Sequence, residues 1–197
     1  MPLLNDPVLT VLLCLAAYLA GSVLFALPVC RLWRLPDPRA QGSGNPGATN
    51  VYRTGGWLPA LVTLLLDGLK GWLPVWLANL AGLPVFPQAM VALCAVTGHM
   101  IPLFHRFQGG KGVATALGGG LALAPVTTVI ISAIWGLVMW RWRISALASI
   151  IAIGSGPLIS AVLEPETLPL FGLLALLIIV RHRNNLIRLA QGRESKF

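Results

Sequence analysis

Three short segments hold nearly all the residues in this chain that could do chemistry. The first is Gly42-Ser43-Gly44-Asn45-Pro46-Gly47-Ala48-Thr49-Asn50-Val51-Tyr52-Arg53. Its glycines let backbone N–H groups turn sharply and approach a ligand closely. Successive N–H groups in such turns form nests that hold anions. Ser43, Asn45, Thr49 and Asn50 add neutral polar groups, and Arg53 adds a fork that matches phosphate. The second is Phe107-Gln108-Gly109-Gly110-Lys111-Gly112, a glycine nest with a lysine just before a helix. Backbone donors, the positive helix end and an ammonium converge there. It lacks the GxxxxGK[ST] spacing, so an NTPase is not supported. The third places His182, Asn185 and Arg188 at i, i+3 and i+6. On a helix the first two share a face, with Arg188 at its edge. Each segment also has a plainer reading: a Gly/Pro connector, a tight turn with a snorkelling lysine, and a polar helix end.

The rest of the chain is membrane-like. Of its 197 residues 56% are hydrophobic and 10% charged, outside the range of ordinary soluble domains. The net charge is +8, yet nucleic acid is not the implied partner, because thirteen of fourteen Lys and Arg residues fall in the four segments that flank apolar runs on the expected cytoplasmic side, Lys70 being the exception. That is the pattern that orients a membrane protein. Cys14, Cys30 and Cys94 lie in apolar stretches; they form no disulfide framework, and no His/Cys cluster has zinc spacing. The first apolar run is too long for a signal sequence and lacks a basic residue before it.

These features predict an all-α integral membrane protein, a single membrane domain over 1–197. It is expected to be a seven-helix bundle with some short or broken helices, N-terminus outside and C-terminus cytoplasmic. The expected spans are 7–30, 57–79, 88–104, 113–124, 125–140, 144–162 and 167–185. The stretch 113–140 is the ambiguous one. Basic residues flank it on both sides, so an even number of crossings must lie between. Two helices of about 13 residues would each reach about 20 Å, against a hydrocarbon core of about 30 Å. Gly118-Gly119-Gly120 and Pro125 mark where a break is expected. Asp67 and Lys70, three apart inside the second span, are expected to face the bundle interior as a structural ion pair. His99 is expected to orient the glycine-rich loop.

The segments SGNPGATNVYR, GHMIPLFHRFQGGKGVAT and RHRNNLIRLAQGRE, with LLDGLKG at 65–71, resemble the motifs of the PlsY-type acyl-phosphate:glycerol-3-phosphate acyltransferases. The resemblance covers most of the chain, in order. It implies a multi-pass enzyme of the bacterial plasma (inner) membrane that moves an acyl chain from acyl phosphate to glycerol 3-phosphate, giving lysophosphatidic acid and phosphate. It departs from the family at Gln108, often Lys there, and at Pro46, usually a small or aliphatic residue. Such a reaction needs two anion sites and access from membrane lipid. It needs no metal or other cofactor and no coenzyme A site. No obligate protein partner is evident.

Glycerol 3-phosphate is expected on Ser43, Arg53, Lys111, His182 and Asn185. Acyl phosphate is expected on Gly42, Gly44, Asn45, Gly47, Thr49, Asn50, Gly109, Gly110 and Gly112. Ser43, His182 and Asn185 are the candidate catalytic residues. Attack by the glycerol hydroxyl needs a proton acceptor and stabilisation of an oxyanion. His182 is the only imidazole in the third segment, and the donor phosphate is its rival for the proton. A third route makes Ser43 an acylated nucleophile, although no His/Asp partner is adjacent in sequence. The His-x4-Asp pair of soluble-type acyltransferases is absent: Phe104, Gly110 and Ile187 stand five residues after the three histidines. An organophosphate transporter would use similar loops, but near the membrane midplane and open to both faces. A scaffold subunit would leave the three polar segments unexplained.

The topology is testable by thiol labelling of single-cysteine variants from outside. Positions 82–86 and 164–166 are expected to react, and 42–53, 106–112 and 186–197 to stay protected. External labelling of residue 142 would make 113–140 a single crossing.

Overall fold

A computed structural model describes residues 6–197; residues 1–5, and with them the expected outer N-terminus, lie outside the described residues. The described residues are helical, with no strand among them. They form α1 (Pro7–Gly21), α2 (Ala26–Leu32), α3 (Ala48–Gly55), α4 (Trp57–Leu80), α5 (Val85–Met100), α6 (Val113–Leu123), α7 (Pro125–Trp142), α8 (Ser145–Leu163), α9 (Leu168–Arg181) and α10 (Arg183–Ala190). Five helical segments are long and apolar enough to cross a membrane, and six if the pair bent by 62° at His182 counts as one. The chain packs as two compact units, one ending at Ala122 and one covering Leu123–Phe197.

In the first unit α4 is turned inside out relative to a soluble helix. Thr63, Asp67, Lys70, Gly71 and Pro74 are buried, while Leu61, Leu65, Leu69, Leu73 and Leu77 are exposed. Lipid solvates leucine as well as a protein core does, so small and polar groups take the packed face. The ion pair is there as expected: Lys70 Nζ lies 2.6 Å from Asp67 Oδ1, and the two residues are 5% and 2% exposed.

That pair closes a gap which the sequence did not announce. The first apolar run is broken between Gly21 and Ala26. Leu27 N–H, which in a continuous helix would bond to Val23 O, donates to Leu24 O instead. The orphaned Val23 carbonyl accepts from Lys70 Nζ at 2.6 Å, and the Phe25 N–H is directed to Asp67. Backbone groups at membrane depth have no water to turn to, so a break there requires such partners. The end of α1 is tied to the end of α5 as well: Tyr18 Oη donates to Ile101 O at 2.8 Å, and Leu103 N donates to Ser22 Oγ at 3.2 Å.

Between residues 113 and 140 the chain does break, but at Ala124, not at the glycines. Proline disfavours helical backbone in the residue before it, and Ala124 is accordingly non-helical ahead of Pro125. Gly118 lies inside α6 against the backbone carbonyl of Gly68, where a Cβ would collide. The run of glycines lets α6 approach α4 rather than ending α6. With 11 residues α6 is short, about 17 Å; α7, with 18, reaches about 27 Å and is not the short helix expected.

In the second unit α7, α8 and α9 pack in sequence around Ala124, Ile131, Ala152 and Phe171. Glu164, in the turn after α8, caps α7 by accepting from Thr127 N at 2.9 Å.

Removing one member of a buried pair leaves an uncompensated charge, at a cost of about 3–5 kcal/mol. Lys70→Met is therefore expected to lower the thermal midpoint in detergent steeply. Asp67→Asn/Lys70→Met should recover the part of the loss that comes from the unpaired carboxylate, the Val23 carbonyl still lacking its donor, and a double variant no more stable than Lys70→Met would contradict the pairing.

Candidate active site

The first polar segment is a loop followed by α3, and Asn50 holds it. The Asn50 side chain is 1% exposed. Its Nδ2 donates to Pro38 O at 2.7 Å and Gln41 O at 3.0 Å, and its Oδ1 accepts from Ser43 N at 3.0 Å. An amide nitrogen has two protons to donate, and both are spent on the loop. Asn50 thus folds the loop. Gly42 has φ +57°, and Asn50 Oδ1 fills the place where its Cβ would project. Only glycine meets both conditions at low cost. The loop leaves Ser43 exposed, with a long 3.5 Å contact from Asn45 N to Ser43 Oγ. Gly44 follows Ser43 in the loop, Gly47 precedes the first turn of α3, Thr49 lies in that turn, and Arg53 lies half-buried in the last. Upstream, Arg39 Nη2 pairs with Asp37 Oδ2 at 2.6 Å, and the guanidinium holds the Asp37 carboxyl below its ordinary range.

The second segment folds back on α5. Gly110 N donates to the His99 carbonyl at 3.0 Å, and the Nε2 edge of the same residue's ring sits where a Gly110 side chain would begin. Gly109 lies against Pro102 and the His99 carbonyl, and Gly112 against Met100 and Val96. Lys111, half-buried between glycines, stands immediately before α6. His99 Nδ1 lies 2.9 Å from Lys70 Nζ. An ammonium can only donate, so Nδ1 accepts and the neutral ring carries its proton on Nε2. His99 orients the loop as expected, through its carbonyl and through the Nε2 edge of its ring against Gly110.

Both segments are mounted on α4. Val51 of α3 packs with Ala60 of α4 as well as Ala26 and Cys30 of α2. Farther along α4, Gly71 meets the backbone of Thr115 and Gly68 that of Gly118.

In the second unit the helix expected to carry the third segment is interrupted. His182 ends α9 and precedes α10, at the 62° bend. It remains buried, as does Asn185, at 2% and 4% exposure. His182 Nδ1 lies 2.8 Å from Ile178 O, a carbonyl that can only accept. The ring therefore donates from Nδ1, and in its neutral form it carries the lone pair on Nε2. Asn185 Nδ2 donates to Glu194 Oε1, and Arg188 Nε to Glu194 Oε2, each at 2.7 Å. Sequence reasoning left Glu194 without a role; its signal was being the one carboxylate in the three segments.

A family model described as glycerol-3-phosphate acyltransferase matches residues 11–192. The chain belongs to the glycerol-3-phosphate acyltransferase family. A relative from Hahella chejuensis is 51% identical over 90% of this chain and 92% of its own length. One from Idiomarina loihiensis is 46% identical over 96% of each. Both are named glycerol-3-phosphate acyltransferase. A crystal structure of PlsY, an integral membrane glycerol 3-phosphate acyltransferase in its glycerol 3-phosphate form, matches with TM-score 0.89 at 38% identity over 95% of each chain. The lysophosphatidic acid form of that protein matches with TM-score 0.86. Membership in this family makes the chain a multi-pass membrane enzyme.

Asn50→Asp keeps the acceptor for Ser43 N but removes both donors. Trypsin is then expected to cut after Arg39 at least severalfold faster, with acyl transfer falling about tenfold or more as two carbonyls lose their partners. Unchanged proteolysis would mean that Asn50 does not hold the loop.

Proposed function

We propose that this chain transfers the acyl group of an acyl phosphate to a hydroxyl of glycerol 3-phosphate, releasing phosphate and lysophosphatidic acid. The observation that carries the reading is the match to the glycerol-3-phosphate acyltransferase family over residues 11–192, which covers the first two polar segments and the third through Gly192. The acyl phosphate donor is inferred from chemistry. An acyl phosphate is already activated, and its phosphate suits a site made of glycine-rich backbone. The proposed setting is the bacterial inner membrane, with seven crossings and the polar segments on the cytoplasmic side.

Arg53, Lys111 and Ser43 are assigned to glycerol 3-phosphate, together with His182 and Asn185. The loop glycines, Asn45 and Thr49 are assigned to the acyl phosphate. In the proposed reaction the hydroxyl attacks the acyl carbon, the carbonyl oxygen takes up negative charge, and the C–O bond to phosphate breaks. The proton passes to the donor's phosphate, and positioning of the two substrates supplies most of the rate. His182, whose Nδ1 bonds to Ile178 O, is assigned to accept the hydroxyl's hydrogen bond through the lone pair of Nε2. That lone pair also supports a second reading, in which His182 is the general base.

One assay of the purified enzyme tests the assignments together. Lysophosphatidic acid formation is expected with acyl phosphate and glycerol 3-phosphate but not when acyl-coenzyme A replaces the acyl phosphate; equal turnover of the thioester would sink the donor assignment. Arg53→Lys keeps the charge and loses the fork. It should raise KM for glycerol 3-phosphate about 10- to 150-fold, the worth of one charge-assisted hydrogen bond, with KM for the donor nearly constant. His182→Asn should retain much of the activity and the acid limb of the wild-type pH profile. A dead His182→Asn that still binds both substrates would make His182 the base.

A further inference from the structure

Lys70 lies outside the three polar segments, and the reaction proposed above does not use it. Its ammonium has three protons and faces three acceptors: Val23 O at 2.6 Å, Asp67 Oδ1 at 2.6 Å and His99 Nδ1 at 2.9 Å. All three donors are spent, and the acceptors come from three parts of the chain: the α1–α2 break, α4 itself and α5. Asp67 Oδ1 is 3.7 Å from His99 Nδ1, too far for a hydrogen bond, so the lysine and not the aspartate holds the ring.

The held ring is in turn the support of the glycine-rich loop. His99 grips Gly110 twice, by its carbonyl at the N–H and by the Nε2 edge of its imidazole at the Cα. Lys111 is the next residue. The ring's plane is thus transmitted to the backbone on both sides of the lysine assigned to substrate. A shift of about 1 Å in such a group can cost up to about 100-fold in rate.

We propose that Lys70 is a positioning residue for phosphate binding: by donating to His99 Nδ1 it fixes the imidazole against which Gly110 rests, and so sets the register of the 109–112 loop. This rests on the reading of that loop as a phosphate site. Lys70 touches no substrate. Gly110 is a glycine here because the ring occupies the place of a side chain.

The test is kinetic, on the full-length enzyme, with KM for both substrates, kcat and thermal midpoint measured for each variant. His99→Asn leaves an acceptor for Lys70 near the Nδ1 position and deletes the ring edge beneath Gly110. It should raise KM for one phosphate-bearing substrate about tenfold and change kcat by less than about threefold. Gly110→Ala should raise KM for the same substrate further in the wild-type background. In the His99→Asn background its penalty should shrink to a few-fold, because the colliding ring is gone. Asp67→Asn/Lys70→Met keeps His99 but removes its donor, and should reproduce the His99→Asn signature; it also carries the test if His99→Asn fails to fold. An equal Gly110→Ala penalty in both backgrounds would overturn the proposal. So would unchanged KM values in a folded Asp67→Asn/Lys70→Met. Lys111→Met separates the two levels of inference. If it moves neither KM, the phosphate-site reading falls and the proposal with it. If it moves one while the His99 and Lys70 variants move none, the positioning role alone is wrong.

Discussion

The buried ammonium of Lys70 is the interaction on which the first unit depends. In hydrocarbon a helix break exposes backbone groups that cannot bond to water, each at a cost of several kcal/mol. Between Gly21 and Ala26 that cost is offset by two side chains of α4, with Lys70 serving the Val23 carbonyl and Asp67 the Phe25 N–H. A charge at this depth is itself costly alone, and it is tolerated because every proton of the ammonium has an acceptor. The third proton goes to His99 and so to the loop that carries Lys111. One saturated cation thus joins a packing problem to a binding loop.

Backbone, more than reactive side chains, shapes the candidate site. Asn50, His99 and Glu194 are polar residues whose visible bonds run to their own surroundings: loop carbonyls, a neighbouring lysine, and Asn185 with Arg188. They hold other groups in place. Such an arrangement suits a reaction whose donor is already activated, because the protein then has mainly to orient two phosphate-bearing molecules and stabilise developing charge.

Much of this was legible before any coordinates. The all-helical membrane class followed from composition, and the break before Pro125 from the backbone restriction that proline imposes. Asp67 and Lys70 were readable as an interior pair, because charges three apart at mid-span have few other places to go. Their target was not readable: Gly21 and Pro28 bracket Ser22-Val23-Leu24-Phe25, but both residues are common inside transmembrane helices and do not by themselves mark a break. The Gly118–Gly120 run misled in the opposite direction, since glycine signals both a helix stop and a close helix crossing. Asn50 read as a ligand because a side-chain amide looks the same whether its protons go to phosphate or to Pro38 and Gln41. The third segment lost its continuous helix at His182, where the backbone departs from helical values without a proline or glycine. Family resemblance located the segments; the three-dimensional arrangement adds which of their residues hold one another.

The central claim is that the break in the first span and the glycine-rich loop are held by one group. Hydrogen exchange followed by mass spectrometry, on the wild type and on Asp67→Asn/Lys70→Met in detergent, tests it directly. The account predicts that peptides covering 20–27 and 106–113 lose protection together, while peptides from α8 and α9 do not change. Loss confined to 20–27, with the loop as protected as before, would contradict it.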